Sequence, residues 1–388
     1  MKNRFFARLL PRSLMVVLLV LLGACSSKPK EVEPTALESF EHQYRVDREW
    51  HRYSGLGSQR NPLRLEPALS EQHVYIADLT GQVRALRRDS GRTVWRQSTD
   101  LRISTGVRSG YGRLLVGTRD GDAVALSEED GRELWRTQLS GELLSRPATD
   151  GAVAIFQSQD GRVVALDAAD GAVLWSFEVT VPVLSLRGLA EPLLAGARVF
   201  AGTGSGRVVA LELSTGSPVW ERRVAEPTGR SELDRLVDID GNLLLENGGL
   251  FVSTFQGKLA VLDEESGRIY WDFDISSANV MASLGGVLFI ADNQGVVRAV
   301  DQRSGNELWK QEGLIARRLT GTVIHNDLVV VGDRDGYLHW LDPQTGNFVA
   351  RRRHDPDGFA APPAVYGDVV YAVSTDGEVA AYRLKAIR

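Results

Sequence analysis

The sequence predicts an all-β fold: an eight-bladed β-propeller of four-stranded antiparallel blades, its ring closed by an N-terminal strand that completes the last blade. Three observations predict it. Seven of the eight tryptophans, Trp50, Trp95, Trp135, Trp175, Trp220, Trp271 and Trp309, recur in register. From Trp95 onward each lies four residues after a glycine, as in ALDAADGAVLW (165–175). Eight strand-turn-strand units peak at Gly81, Gly121, Gly161, Gly206, Gly257, Gly295, Gly336 and Gly377. These glycines are separated by 40, 40, 45, 51, 38, 41 and 41 residues, a period that suits one propeller blade per repeat. No apolar pattern of helical spacing occurs beyond the first 24 residues.

Residues 1–24 read as a processing signal. Lys2, Arg4, Arg8 and Arg12 form a basic start, and Leu14 to Leu22 is an apolar run too short to span a bilayer comfortably. The run ends in LGAC (22–25), which resembles a lipobox, and Cys25 is the only cysteine of the chain. The resemblance implies cleavage before Cys25 and acylation of its new N-terminus. A simple secretory signal with an incidental thiol is the alternative. In lipoproteins an aspartate after the cysteine favours inner-membrane retention. The residue here is Ser26, which implies the periplasmic face of the outer membrane. With that thiol lipidated no disulfide is available, so the fold rests on its core. Residues 25–38 are expected to be a lipidated flexible tether and 39–388 the propeller. Loss of residues 1–24 takes the formal charge from −5 to −9, and no basic stripe with interleaved aromatics occurs, which argues against nucleic acid as a partner.

Within each repeat an inner strand comes first, two central strands flank the hairpin glycine, and an outer strand carries the tryptophan. The hairpin glycine supplies the positive φ of a tight turn. The second glycine lets the chain leave the sheet, so that four residues later the indole can fold back and pack on a neighbour. After Gly377 the chain stops before a fourth strand, whereas YRVDREW (44–50) offers a strand and a tryptophan before the first hairpin. The two fragments complete one blade and remove an exposed edge. In the seventh unit Ala350 stands where the tryptophan is expected and Trp340 lies in the third strand, which predicts weaker packing there.

Chemical motifs reduce to turns. GTGSG (202–206) resembles a phosphate loop, but it falls on a hairpin and no helix follows. DRDG (333–336) and DIDG (238–241) resemble the start of a calcium loop, yet Gln344 and Gly249 stand where its glutamate belongs. His42, His51, His73, His325, His339 and His354 never pair at ligand spacing, and Asp120, Asp160 and Asp376 suit turn chemistry. No catalytic residue, metal or cofactor is expected.

The repeat stretches after blades three and four, where FEVTVPVLSLRGLAEPLLAG (177–196) and VAEPTGRSELDRLVDIDGNLL (224–244) are inserted at equivalent connections. These should be neighbours on one face of the ring. Leu184, Leu186 and Arg187 combine apolar anchors with a forked cation, and Asp234, Arg235, Asp238 and Asp240 supply charge, a mixture suited to a protein interface. A strand position for the leucines and solvation of the charges is the alternative.

The frame Ala-x-Asp-x-x-x-Gly-x-x-x-Trp, clearest at Ala165, Asp167, Gly171 and Trp175, resembles the repeat of quinoprotein-type eight-bladed propellers. With the lipobox, VLSLRG (183–188), SELDRLVDIDG (231–241) and VVVGDRDGYLHWLDPQTG (329–346), residues 22–388 resemble the BamB family, lipoprotein subunits of the outer-membrane β-barrel assembly machinery. That resemblance implies a non-catalytic scaffold that docks on the POTRA domains of BamA through Leu184, Leu186, Arg187, Asp238 and Asp240, and that meets unfolded outer-membrane proteins transiently. Two other readings are a lipid-anchored quinoprotein-like dehydrogenase and a small-ligand-binding propeller. The first lacks an adjacent cysteine pair, and eight blades leave little of the 364 residues after the signal for a cofactor cover.

Overall fold

A computed structural model describes residues 32–53, 55, 57–58, 63–182, 184–186, 189–359 and 361–387. The signal, Cys25 and Arg187 lie outside the described residues. The strands form eight four-stranded sheets in which neighbours pair in chain order, apart from the last. Blade three is representative, with Ala148–Thr149, Val153–Gln157, Arg162–Asp167 and Val173–Glu178 running antiparallel from the axis outward. Its central strands, VAIFQ and RVVALD, are buried along most of their length, because a blade between two neighbours has two covered faces. The outer strand alternates between exposed and covered positions. The apolar core is therefore divided among the seams. Between blades three and four, Ile155, Val163, Ala165 and Trp175 meet Val199, Ala201, Val209 and Leu211.

Each tryptophan crosses a seam. Trp135 leaves the outer strand of blade two, its Nε1–H donates to the Ala168 carbonyl of blade three at 3.0 Å, and its ring lies over Gly171. A Cβ on Gly171 would sit 2.6 Å from Trp135 Cε3, and its φ is +77°. One glycine thus allows a left-handed turn and clears a seat for the neighbouring indole. The same donor-to-carbonyl contact links Trp50 to Arg88, Trp95 to Glu128, Trp175 to Leu213, Trp220 to Glu264, Trp271 to Gln302 and Trp309 to Pro343. The alanine of the sequence frame is also explained. Ala165 lies directly across the ladder from Trp175, beside a register shift that re-aims the indole.

The last sheet has the order expected from the two chain ends. Tyr44–Tyr53 pairs antiparallel with Glu378–Ala386, from Tyr44 opposite Ala386 to Tyr53 opposite Glu378. Blade eight consequently has no turn between its third and fourth strands, so it offers no glycine seat to blade seven. This accounts for Ala350 and corrects the expectation of weak packing. The usual pair is inverted: Trp340 on the third strand faces Ala350 on the fourth, both are fully buried, and Trp340 Nε1–H donates to His325 Nδ1 at 3.0 Å. A second correction concerns the start of the ring. The compact unit begins at Thr35, and Leu37 packs against the core between blades six and seven, so residues 35–38 belong to the ring and not to the tether.

Candidate docking face

The hairpin glycines and the blade-to-blade connections lie on one face, as backbone bonds demonstrate. Val179 N–H donates to the Gly161 carbonyl and Val224 N–H to the Gly206 carbonyl, each at 2.8 Å. The two long connections meet there. Ala190 N–H donates to the Ile239 carbonyl at 3.0 Å, Ile239 N–H to the Thr203 carbonyl at 3.2 Å, and Asp238 Oδ1 accepts the Leu186 N–H at 2.8 Å. A carboxylate in one insertion thereby fixes the backbone of the other.

The residues singled out from sequence separate into two layers. Leu184 is 42% exposed and Leu186 half-buried, while Asp238 is fully buried and Asp240 only 4% exposed. The two aspartates lie beneath the surface, so they do not present charge to solvent. Burial, aided by repulsion from Asp240, pushes the Asp238 carboxyl up to about 7 against the opposing Leu186 N–H bond. Burial likewise raises Asp240 to about 6, and the nearby Arg64 cation opposes that rise. Asp234 and Arg235 are exposed. The Asp234 carboxylate accepts the Ser231 N–H, which holds it low, and Arg235 Nη1 lies 3.4 Å from Glu232 Oε1. Between the insertions runs a groove of about 530 Å³, lined by Phe177, Val181, Leu184, Arg207, Glu221, Arg223 and Arg235 among others. Val181 at 42% and Leu233 at 64% exposure add apolar surface.

Behind this face lies an axial cavity of about 390 Å³ that was not anticipated from the sequence. Arg64 reaches across it from the entrance to blade one, where Nη1 donates to the Asp240 carbonyl at 2.7 Å and Nη2 to the Ala278 carbonyl. Arg146 pairs with Glu66 at 3.2 Å and Glu191 at 2.8 Å, and Glu191 also pairs with Arg108. Burial, with repulsion from Arg146, lowers Arg108 to about 9. Glu66, Arg146 and Glu191 share one repeat position, two residues before the inner strands that start at Ala68, Ala148 and Leu193. Aligning the repeats on those strands would have found them, whereas a search for contiguous motifs could not. Among the described residues one acidic trio, Asp355, Asp357 and Asp376, brings its oxygens within 4.8 Å of one another, and turn hydrogen bonds account for it.

Comparison with known proteins agrees with this architecture. A family model described as outer membrane protein assembly factor BamB matches residues 79–311 and 293–386. The chain is 44% identical over 373 residues to the outer membrane protein assembly factor BamB of Pseudomonas aeruginosa, covering 96% of this chain and 98% of that protein. Identity to the Escherichia coli BamB is 34% over 381 residues, covering 96% and 97%. The crystal structure of BamB from Moraxella catarrhalis superposes with a TM-score of 0.79 at 28% identity, covering 87% of this chain and 99% of that one. A europium-containing methanol dehydrogenase shares the fold, with a TM-score of 0.72 at 13% identity, over 87% of this chain and 93% of that one. An eight-bladed ring, two inserted connections locked together on one face, and near full-length similarity to these relatives place the chain in the BamB family of outer membrane protein assembly factors.

Proposed function

We propose that the chain acts from the periplasmic face of the outer membrane, tethered through a lipidated Cys25, and docks on the POTRA domains of BamA where its two long connections meet. As a BamB-family member it is a non-catalytic scaffold that assists outer-membrane protein assembly. The observation that carries the docking assignment is the bond from Leu186 N–H to Asp238 Oδ1, because it holds both insertions as one preorganised surface. Leu184 and Leu186 supply apolar contact on that surface, and Asp238 and Asp240 act from below as positioning groups. Arg187, outside the described residues, is assigned here as the cationic contact that its neighbours imply. Unfolded barrel proteins would then be clients of the assembled machine, met transiently. The quinone-dependent alternative is disfavoured by the axial mouth, which Arg64 crosses and ion pairs occupy.

The test is co-purification of BamA from membranes. Leu184→Glu changes an exposed side chain, so thermal stability should hold within about 0.5 kcal/mol. Recovery of BamA should fall at least about tenfold if the leucine is an interface anchor. Undiminished recovery with a folded protein removes the face from consideration.

A further inference from the structure

Blade seven departs from the repeat in a second way: its outer strand is covered. Residues 35–43 descend along Phe348–Arg353, from the connection between blades six and seven to the start of Tyr44–Tyr53. Backbone bonds fix both ends, with Thr35 N–H donating to the Ile315 carbonyl at 3.0 Å and Gln43 N–H to the Val349 carbonyl at 2.9 Å. Between them two arginines hold main-chain carbonyls: Arg317 Nη1 donates to Thr35 O at 3.1 Å and Arg351 Nη1 to Glu38 O at 2.9 Å. The Arg351 guanidinium also lies 4.8 Å from the centre of the Phe40 ring and 5.0 Å from that of Phe348.

Those arginines are themselves fixed by buried groups. Arg317 Nε donates to Asp333 Oδ2 at 2.7 Å, and the same oxygen lies 3.0 Å from His339 Nε2. Arg351 Nε donates to His339 Nδ1 at 3.0 Å, so the imidazole is neutral and its Nε2–H donates to Asp333. Asp333 and His339 are fully buried. A chain of four side chains thus holds both clamps in place, which is more than a passing contact of an N-terminal segment requires.

We propose that Thr35–Gln43 is a strap that sets where the membrane anchor leaves the ring. Thr35 emerges on the face that bears the hairpins and docking loops, but between blades six and seven, whereas the docking connections run between blades three and four and between blades four and five. With the strap docked, ten residues (25 to 34) separate the lipid from Thr35. Released, the tether would run to Gln43 and reach about 65 Å when extended, against about 35 Å. The clamp therefore keeps the edge of blade seven nearer the membrane than the docking connections, which lie three and two blades further round the ring, where a periplasmic partner can reach them.

This inference rests on lipidation of Cys25. Because Cys25 is the only cysteine, one introduced cysteine can be labelled uniquely in the acylated protein. The exposed residues Glu312, beside the strap, and Glu232, on a docking connection, are each changed to cysteine, and transfer to an acceptor lipid is measured in phosphatidylethanolamine/phosphatidylglycerol vesicles. The Glu312→Cys label should show several-fold higher transfer than the Glu232→Cys label. Adding Leu37→Gly and Phe40→Gly, which weakens the strap without touching Arg317 or Asp333, should bring the two values together and abolish exchange protection of the Thr35 and Gln43 amides. Equal transfer in the unaltered strap overturns the proposal, as does a difference that survives after protection is lost. Failure of the protein to float with vesicles overturns the lipid reading instead. In that event the exchange experiment decides the strap: unprotected Thr35 and Gln43 amides in the unaltered protein reject it.

Discussion

Replacing Asp238 by asparagine separates its two properties, hydrogen-bond acceptor and charge. The amide oxygen can still accept the Leu186 N–H, so the insertions should stay locked, but the group can no longer ionise. In the wild type the carboxyl is raised from 3.8 to about 7 by burial and by Asp240. A folded-state value above the unfolded one means that the folded chain binds the proton more tightly. The stabilising contribution is complete below about pH 4 and is lost as the pH rises through 7. At about 1.4 kcal/mol per tenfold change in proton affinity, ionising Asp238 costs the fold about 4 kcal/mol by pH 8, of which about 2–3 kcal/mol is lost between pH 5 and pH 8. Urea unfolding of both proteins across that range is the assay. The difference in stability between the variant and the wild type should grow in favour of the variant by about 2–3 kcal/mol from pH 5 to pH 8. Any cost of the new amide is the same at every pH and leaves the slope intact. Parallel profiles would refute the assignment of Asp238 as a buried, titrating group. Recovery of BamA should be kept by Asp238→Asn and lost with Asp238→Ala, which removes the acceptor. Equal loss in both would show that the charge itself makes the contact.

Three further outcomes follow from the ring. Gly171→Ala should cost about 2–4 kcal/mol, since it strains a left-handed turn and drives a methyl into Trp135, and Trp135→Ala about 3–5 kcal/mol; thermal or urea midpoints would reveal either. Moving the indole in blade seven to the position other blades use, with Trp340→Ala and Ala350→Trp together, conserves volume but should still give a protein clearly less stable than the wild type, because blade eight has no seat to receive it. Wild-type stability in the double variant would contradict the seat argument. Acid should act against the fold in the opposite direction to Asp238. His325 is lowered to about 4, first by burial and then by Arg383, so its contribution is present above about pH 6.5 and lost on acidification, about 2–3 kcal/mol by pH 4.5, and His325→Gln should flatten that limb of a urea–pH profile.

The blade count was legible because one spacing reports two physical requirements. A glycine four residues before a tryptophan is both a turn and a seat, and six such pairs leave little freedom in the architecture. Blade seven was misread because the seat for its tryptophan belongs to the next blade, where the chain ends. A single repeat does not contain that information. Asp238 and Asp240 were found through resemblance, but acidic residues in a polar stretch read as solvated. Their burial arises only when two connections, about fifty residues apart, close over one another. The axial ion pairs were hidden for a related reason, since Glu66, Arg146 and Glu191 come from three blades and meet only at the axis.

Two of these misreadings meet at the axial cavity, where Asp240 lies beside Arg64, Glu66, Arg146 and Glu191, and that location bears on function. In the ring, stability is concentrated in the seams, where indoles and central strands are buried. The connections on the docking face add backbone bonds and a few buried apolar side chains, Ala190, Ile239 and Leu243 among them. Such a division lets the connections after blades three and four lengthen without weakening the seams. A lengthened loop is useful to a partner only if it is held, however, and the buried Ala190 and Ile239 leave the polar stretch around Leu186 to be fixed by a bond of another kind. Asp238 supplies the restraint by giving up its solvation, so a costly buried carboxylate occurs where two inserted loops must present one surface. The strap at blade seven follows the same logic, with Asp333 and His339 buried beneath the arginines that grip it. A buried polar group placed beneath an irregular segment, and away from the repeating core, is therefore the feature by which the working parts of this ring can be distinguished from its scaffold.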